Sequence, residues 1–392
     1  MTARLESVRT TRKSRPQARR AWAALSWGAV AFLVINAIAN RWLPGKLEPW
    51  NQPFFHLRRE PLVRRLDELT RASGPVNDSR KTHATAGPAR PRIAAAFGSS
   101  RFMGGLDGSA LESEFSREWG GTWLVVNFGL PGGGPIDAYV YLQRLFREGP
   151  QPDLVLIEVL PNQLNEAPGH SPRLSQSTAL SDVDQSLLTS EGIPFSSDQA
   201  IQRSQFPCAL WAYRKELLRV VFPRLLHASD PAVMLRSRDP YGTVPIRANI
   251  DEQQRQRAIA GTRVTFQEGA RHFRLGGEGV TAMEAALRLC QEEGVPAGLV
   301  IMPEGPVFQE WYREGAKEEL RVAIRDLAAR NNAQVIDCWD SQPEEAFLDS
   351  HHLLRHAASE VSLRLAQQSV ACLEIVPETV RISSRSLRPP QN

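Results

Sequence analysis

Five short, almost unbroken apolar runs punctuate this chain: Arg92–Phe97 (RIAAAF), Trp123–Phe128 (WLVVNF), Asp153–Val159 (DLVLIEV), Ala297–Met302 (AGLVIM) and Gln334–Asp337 (QVID). A strand that is apolar at every position must be covered on both faces. That is the situation of a parallel sheet held between two helix layers. Helical patterns follow the runs at Gly108–Trp119, Ile136–Arg147, Val280–Glu292, Glu318–Arg330 and Leu354–Cys372. The alternation predicts an α/β fold of three layers (α/β/α), doubly wound, around a mainly parallel five-stranded sheet. The domain is expected to span 91–375, with 376–392 a polar tail. The third and fourth runs lie much farther apart than a crossover requires, which predicts a long insertion, 166–275. Within it Leu210–Leu226 reads as an amphipathic helix broken near Pro223, and Ser-rich Ser171–Ser197 as disordered; together they suggest a cap or partner surface.

The N-terminal end has a different character. Residues 1–20 carry Arg4, Arg9, Arg12, Lys13, Arg15, Arg19 and Arg20 against a single acid, Glu6. They are followed by AWAALSWGAVAFLVINAIA, nineteen residues without a charge. A helix of about twenty residues crosses the roughly 30 Å hydrocarbon core of a bilayer. Segment 21–40 is therefore expected to be a transmembrane signal-anchor, with Trp22, Trp27 and Trp42 at the interfaces. The basic residues before it predict that 1–20 is a cytoplasmic tail and that the rest of the chain is extracytoplasmic. Ala37-Ile38-Ala39 has the small-residue spacing of a signal-peptidase site, so secretion after cleavage is the alternative. Residues 41–90, rich in Pro, Arg and small polar residues, read as a linker with a short amphipathic helix at Pro61–Thr70.

Composition excludes several classes. The formal net charge is only +4, and the basic tail precedes an apolar helix, so the expected partner is a membrane and not a nucleic acid. The four cysteines, Cys208, Cys290, Cys338 and Cys372, show no metal-ligand or redox spacing. No metal or organic cofactor is expected. The glycine stretch after the second run has neither P-loop nor GxGxxG spacing.

In doubly wound sheets ligands bind beyond the carboxyl ends of the strands. After the first run comes Gly98-Ser99-Ser100-Arg101; after the second, Gly129-Leu130-Pro131-Gly132-Gly133-Gly134; after the third, Leu160-Pro161-Asn162-Gln163; and late in the chain, Asp349-Ser350-His351-His352. Each fragment has an ordinary explanation. A Gly-Ser-Ser turn after a strand is commonly a helix cap, for example. Glu304, after the fourth run, reads as a cap of the next helix in preference to a substrate contact, and Trp311 and Tyr312 as core residues in preference to a stacking surface for a sugar ring.

Taken together, their order and placement resemble the SGNH, or GDSL-type, hydrolase superfamily over residues 90–165 and 295–372. That resemblance implies a flavodoxin-like sheet and assigns roles residue by residue. Ser100 is the nucleophile, His352 the base, in preference to His351, and Asp349 its orienting carboxylate. Gly132 and Asn162 are oxyanion donors. Two blocks depart from the family pattern: Ser99 stands where the nucleophile turn has Asp, and Leu160-Pro161-Asn162-Gln163 where the third block reads Gly-x-Asn-Asp. The Gly-Ser-Ser-Arg form is closer to membrane-associated members that modify envelope polymers. Arg101 is expected either to bind an anionic substrate group or to form a structural ion pair. The function expected is a membrane-anchored serine esterase or O-acyltransferase, acting on an acetylated cell-envelope glycan or polymer, with other envelope-assembly proteins as further partners. The alternative is a non-catalytic, membrane-tethered polymer-binding or assembly protein on the same fold.

Overall fold

The computed structural model of the chain describes residues 15–72, 90–166, 174–175, 180–195, 208–227, 230–246 and 249–374. The expected tails 1–14 and 375–392, and the middle of the Ser-rich stretch, lie outside them. Two compact units are distinguished: residues 1–51 with 202–225, and residues 52–201 with 226–392.

The larger unit is built on five parallel strands, β1 (Arg92–Phe97), β2 (Trp123–Asn127), β3 (Leu154–Val159), β4 (Ala297–Ile301) and β5 (Gln334–Asp337), in the order β2-β1-β3-β4-β5. The register sets Phe97 beside Ile157 and Ala96 beside Asn127. Strand order reverses at the β1/β3 boundary, where an open α/β sheet leaves a crevice for a ligand. Successive residues of β1 face opposite layers. Ala94 and Ala96 pack with α3 (Ser100–Gly105), α4 (Gly108–Trp119) and α14 (Arg355–Gln368), through Phe102, Leu111, Phe115, Val361 and Leu365. Ile93, Ala95 and Phe97 pack with α5 (Pro135–Glu148), α11 (Glu278–Glu292) and α13 (Ala316–Arg330) on the other face. Both faces are covered, which is why the strands read as continuous apolar runs.

Two expectations about the surroundings of the sheet are corrected. Residues 41–72 are not a linker: α1 (Arg15–Asn51) continues through 51, and α2 (Pro53–Ala72) buries Phe54, Phe55 and Leu62 in the core of the sheet domain. The charged residues between 58 and 68 hide the apolar helical stripe 54/55–62–66–69 from a compositional reading. Nor is the Ser-rich stretch disordered throughout. Leu180, Leu188 and Ile193 are core residues around α6 (Asp182–Ser190), whose Asp184 forms a buried ion pair with Arg144 of α5 at 2.7 Å. The rest of this unit adds the short helices α9 (Pro231–Met234) and α12 (Pro306–Gln309), the long α10 (Glu252–Arg271) and the closing α15 (Val370–Glu374).

In the smaller unit α7 (Ala209–Ala212) and α8 (Arg214–Val221) pack on α1, with Tyr213 against Ala39 and Leu43. Residues Arg19–Leu43 of α1 span 25 residues and contain an 18-residue window of mean hydropathy 1.8, long and apolar enough to cross a membrane. The four cysteines are unpaired; burial pushes the Cys338 thiol up to about 11 and Cys372 up to about 12.

Candidate active site

The first strand delivers Gly98, and the chain turns at once into α3. Gly98 has to be glycine because a Cβ there would lie 2.5 Å from the Glu158 carboxylate and 2.9 Å from the Phe102 ring. The two serines that follow divide the work. Ser99 is the N-cap of α3, its Oγ accepting the Arg101 N–H at 3.0 Å, while its own N–H donates to Glu158 Oε2 at 2.6 Å. Ser100, half-buried at the first helical position, is left with its hydroxyl 2.8 Å from His352 Nε2. Ser99 thus caps the helix, and the hydroxyl that meets an imidazole is that of its neighbour Ser100.

The imidazole arrives from a loop between β5 and α14. Residues 347–353 fold back on themselves through a Phe347–Leu353 bridge and a Leu348 N–H to His352 carbonyl bond of 2.8 Å. Ser350 takes a left-handed φ of +64°, an uncommon backbone state for a residue with a side chain. It is held there by hydrogen bonds from the Phe308 N–H at 2.9 Å and to Glu344 at 3.0 Å. After that turn the two histidines diverge. His352 faces Ser100. His351 enters an aromatic pocket, its ring 4.9 Å from Phe308 and 4.7 Å from Phe266.

Asp349 accepts hydrogen bonds on both oxygens: Oδ1 from the His351 and His352 N–H groups at 3.1 and 2.7 Å, Oδ2 from His352 Nδ1 at 2.8 Å and Thr262 Oγ1 at 3.0 Å. Burial opposes its charge, but the hydrogen bond and the charge of His352 outweigh it and hold the carboxyl well below the usual carboxylate range. An ionised carboxylate can only accept, so Nδ1 carries a proton, and in the neutral ring Nε2 is left to present its lone pair to the serine hydroxyl. This is the arrangement that makes a serine nucleophilic.

Burial, with the neighbouring charges of His352 and Arg101, pushes His351 well below its ordinary value. The folded chain therefore does not take up this proton, whereas the unfolded chain does below about pH 6.5. Stability should decline as the pH falls through that value. His351→Phe, tested by urea unfolding at neutral pH and near pH 5, should flatten that decline. An equally steep one would show that other groups carry it.

The glycine stretch after β2 lies against the serine turn. The Leu130 N–H donates to the Gly98 carbonyl at 3.0 Å, and Asn127 ties the two together, accepting from the Gly129 N–H at 2.9 Å and donating to the Phe102 carbonyl at 2.7 Å. Gly132 is exposed with φ +65°, so any other residue there would be strained. Asn162 is the second residue of the turn Pro161–Leu164 after β3, the strand beside β1. The Ser100 and Gly132 N–H groups and the half-buried Asn162 amide make no hydrogen bond with the described residues.

Arg101 is not available to a substrate. It is 2% exposed, and its guanidinium donates to Glu304 at 2.9 Å and to the Met302 and Pro303 carbonyls at 2.8 and 3.0 Å. Its Nε also lies 3.4 Å from Glu158 Oε1, an ion pair without a hydrogen bond. Glu304, read from sequence as a cap, is instead the centre of this cluster, bonded also to Trp339 Nε1 at 2.8 Å and to the Tyr312 hydroxyl at 3.2 Å. Burial raises its carboxyl above the ordinary value, against the pull of Arg101. Trp311 and Tyr312 pack around Phe308, as expected of core residues.

Sequence reasoning missed two supports. Glu158 was legible: a carboxylate inside an apolar strand has to be paired. Thr262, on α10 within the expected insertion, was not, because nothing local links it to a loop 87 residues away.

No protein-family model matches the sequence, and no curated protein matches it. Among solved structures, an alpha/beta hydrolase enzyme from the metagenome of Lake Arreo, Spain, is similar at 11% identity and a TM-score of 0.33, covering 72% of this chain and 96% of that chain.

Proposed function

We propose that the chain is a serine esterase or O-acyltransferase of SGNH type, with Ser100, His352 and Asp349 as its catalytic residues. The observation that carries this reading is the continuous relay from Ser100 Oγ to His352 Nε2 and from His352 Nδ1 to Asp349, 2.8 Å at each step. In the first half-reaction Ser100 Oγ bonds to the acyl carbon as its proton passes to His352 Nε2, and the carbonyl π electrons move to oxygen. The Ser100 and Gly132 N–H groups and the Asn162 amide would receive that oxyanion; none of these donors is spent on the described residues. Collapse of the intermediate expels the alkoxide, which takes the proton from His352 and leaves an acyl-serine. Water or a sugar hydroxyl then enters by the same steps in reverse, giving hydrolysis or transfer.

The substrate class we infer is an acylated, most simply acetylated, envelope glycan or polymer. The apolar span of α1 supports an anchored protein, with the N-terminal basic residues cytoplasmic and the sheet domain outside. Nothing in the proposed chemistry calls for a metal or an organic cofactor. The direct test is a fluorophosphonate probe on the full chain, read by intact mass and peptide mapping. One adduct on Ser100 is expected. A folded protein that takes up no probe would favour the non-catalytic, polymer-binding alternative.

Asn162→Ala should lower kcat by about 10²–10³-fold with little change in KM, as for the loss of one oxyanion donor. Its thermal midpoint should hardly move, because the amide holds no other described residue in place. A variant with unchanged kcat would remove Asn162 from the oxyanion site.

A further inference from the structure

The segment that begins at Cys208 has a surface out of keeping with an aqueous setting. Trp211, Val221, Phe222 and Leu225 are 58, 56, 56 and 75% exposed. Exposed Arg214, Lys215 and Arg224 are interleaved with them. The opposite side of the segment is already occupied. Tyr213, with Leu210, Ala212 and Leu217, packs on Ala39 and Leu43, at the C-terminal end of the apolar stretch Arg19–Leu43. A helix pair pinned to that end of a membrane-crossing helix stands at the level where hydrocarbon gives way to headgroups. Bulky apolar side chains with basic residues among them are what an interfacial helix presents there. The apolar groups enter the acyl boundary and the cations meet anionic headgroups.

We propose that residues 208–225 are a second membrane contact: an interfacial element that lies in the surface of an anionic bilayer beside the anchor. The proposal rests on the reading of Arg19–Leu43 as a membrane span. It gives the insertion a role that the anchor does not supply, because a single helix can rotate about its own axis whereas a helix with a lateral foot cannot. Arg214 also lies over the Trp211 ring, 4.4 Å from its centre, an amphipathic pair of the kind enriched at bilayer interfaces.

The test uses the full chain carrying Cys208→Ser, so that the remaining thiols are the buried ones, reconstituted in three-to-one phosphatidylcholine and phosphatidylglycerol vesicles. Single spin labels are placed through Phe222→Cys, Leu225→Cys, Ile35→Cys on the span and Val264→Cys on α10. Collision with lipid-soluble oxygen is compared with collision with a water-soluble nickel chelate. The oxygen-to-nickel ratio at 222 and 225 should approach that at 35 and exceed that at 264 several-fold. It should fall in phosphatidylcholine alone, and an unchanged ratio there would overturn the anionic preference. Water-like ratios at 222 and 225 with a lipid-like ratio at 35 would overturn the proposal and leave the anchor standing. A water-like ratio at 35 would overturn both. Low collision with both reagents at 222 and 225 would mean that protein, a second copy of the chain included, covers the patch, which also overturns it.

Discussion

Ser100→Ala is expected to abolish fluorophosphonate labelling and to lower ester turnover by about 10⁶-fold, the loss seen when a serine nucleophile is removed from a hydrolase. The loss should appear in kcat with substrate binding little changed, because the hydroxyl acts on the reacting carbon. Among the described residues its hydrogen-bond partner is His352. Ser99→Ala is the informative contrast. That serine caps α3, so its loss should cost about 1 kcal/mol of stability and leave labelling of Ser100 in place. If the two effects were exchanged, with Ser99→Ala abolishing labelling, the nucleophile would be misassigned by one residue.

The second large effect is on stability. Arg101→Ala should destabilise the sheet domain by about 3–5 kcal/mol, the cost of removing one partner from a buried ion cluster. The guanidinium stands between two buried carboxylates, Glu158 and Glu304, and satisfies two backbone carbonyls beyond β4. Without it both acids are left charged in the interior, or protonated at a cost. Glu158 also holds the Ser99 N–H, so the serine turn should loosen as the domain weakens. Urea unfolding of the variant should show a lowered midpoint. Adding Glu304→Gln to Arg101→Ala should recover part of the loss, because it removes one orphaned charge. A variant as stable as the parent, with a raised KM for an anionic ester, would restore the substrate-binding reading of Arg101.

Both predictions bear on how much of the site was legible in one dimension. The Asp-x-x-His spacing pointed to His352 and not His351, and the geometry has a local cause. The left-handed turn at Ser350 sends the first histidine into the Phe266–Phe308 pocket and the second towards Ser100. The motif names the pair, but only the turn separates their environments. Arg101 shows the opposite case. An arginine beside a candidate nucleophile reads equally well as an anion binder or as a structural ion. The choice depends on where Glu158 and Glu304 project, and they lie 57 and 203 residues away in sequence. Residues 53–72 misread as linker for a related reason: their charges are local, whereas the partner of Phe54 and Phe55 is the far-off face of the sheet.

What the sequence determined alone was periodicity and punctuation. Continuous apolar runs required strands covered on both faces, the uncharged nineteen-residue stretch required an apolar helix, and the turn residues after the strands gathered the candidate residues at one edge of the sheet. These are properties of a few consecutive side chains and their solvation. Tertiary structure decided which groups on that edge meet. It brought Thr262 from the expected insertion onto Asp349, gave the Ser100 hydroxyl to His352 and withdrew Arg101 into the interior. Such contacts depend on strand order and loop closure over some 250 residues, and no local pattern encodes a distance across the fold.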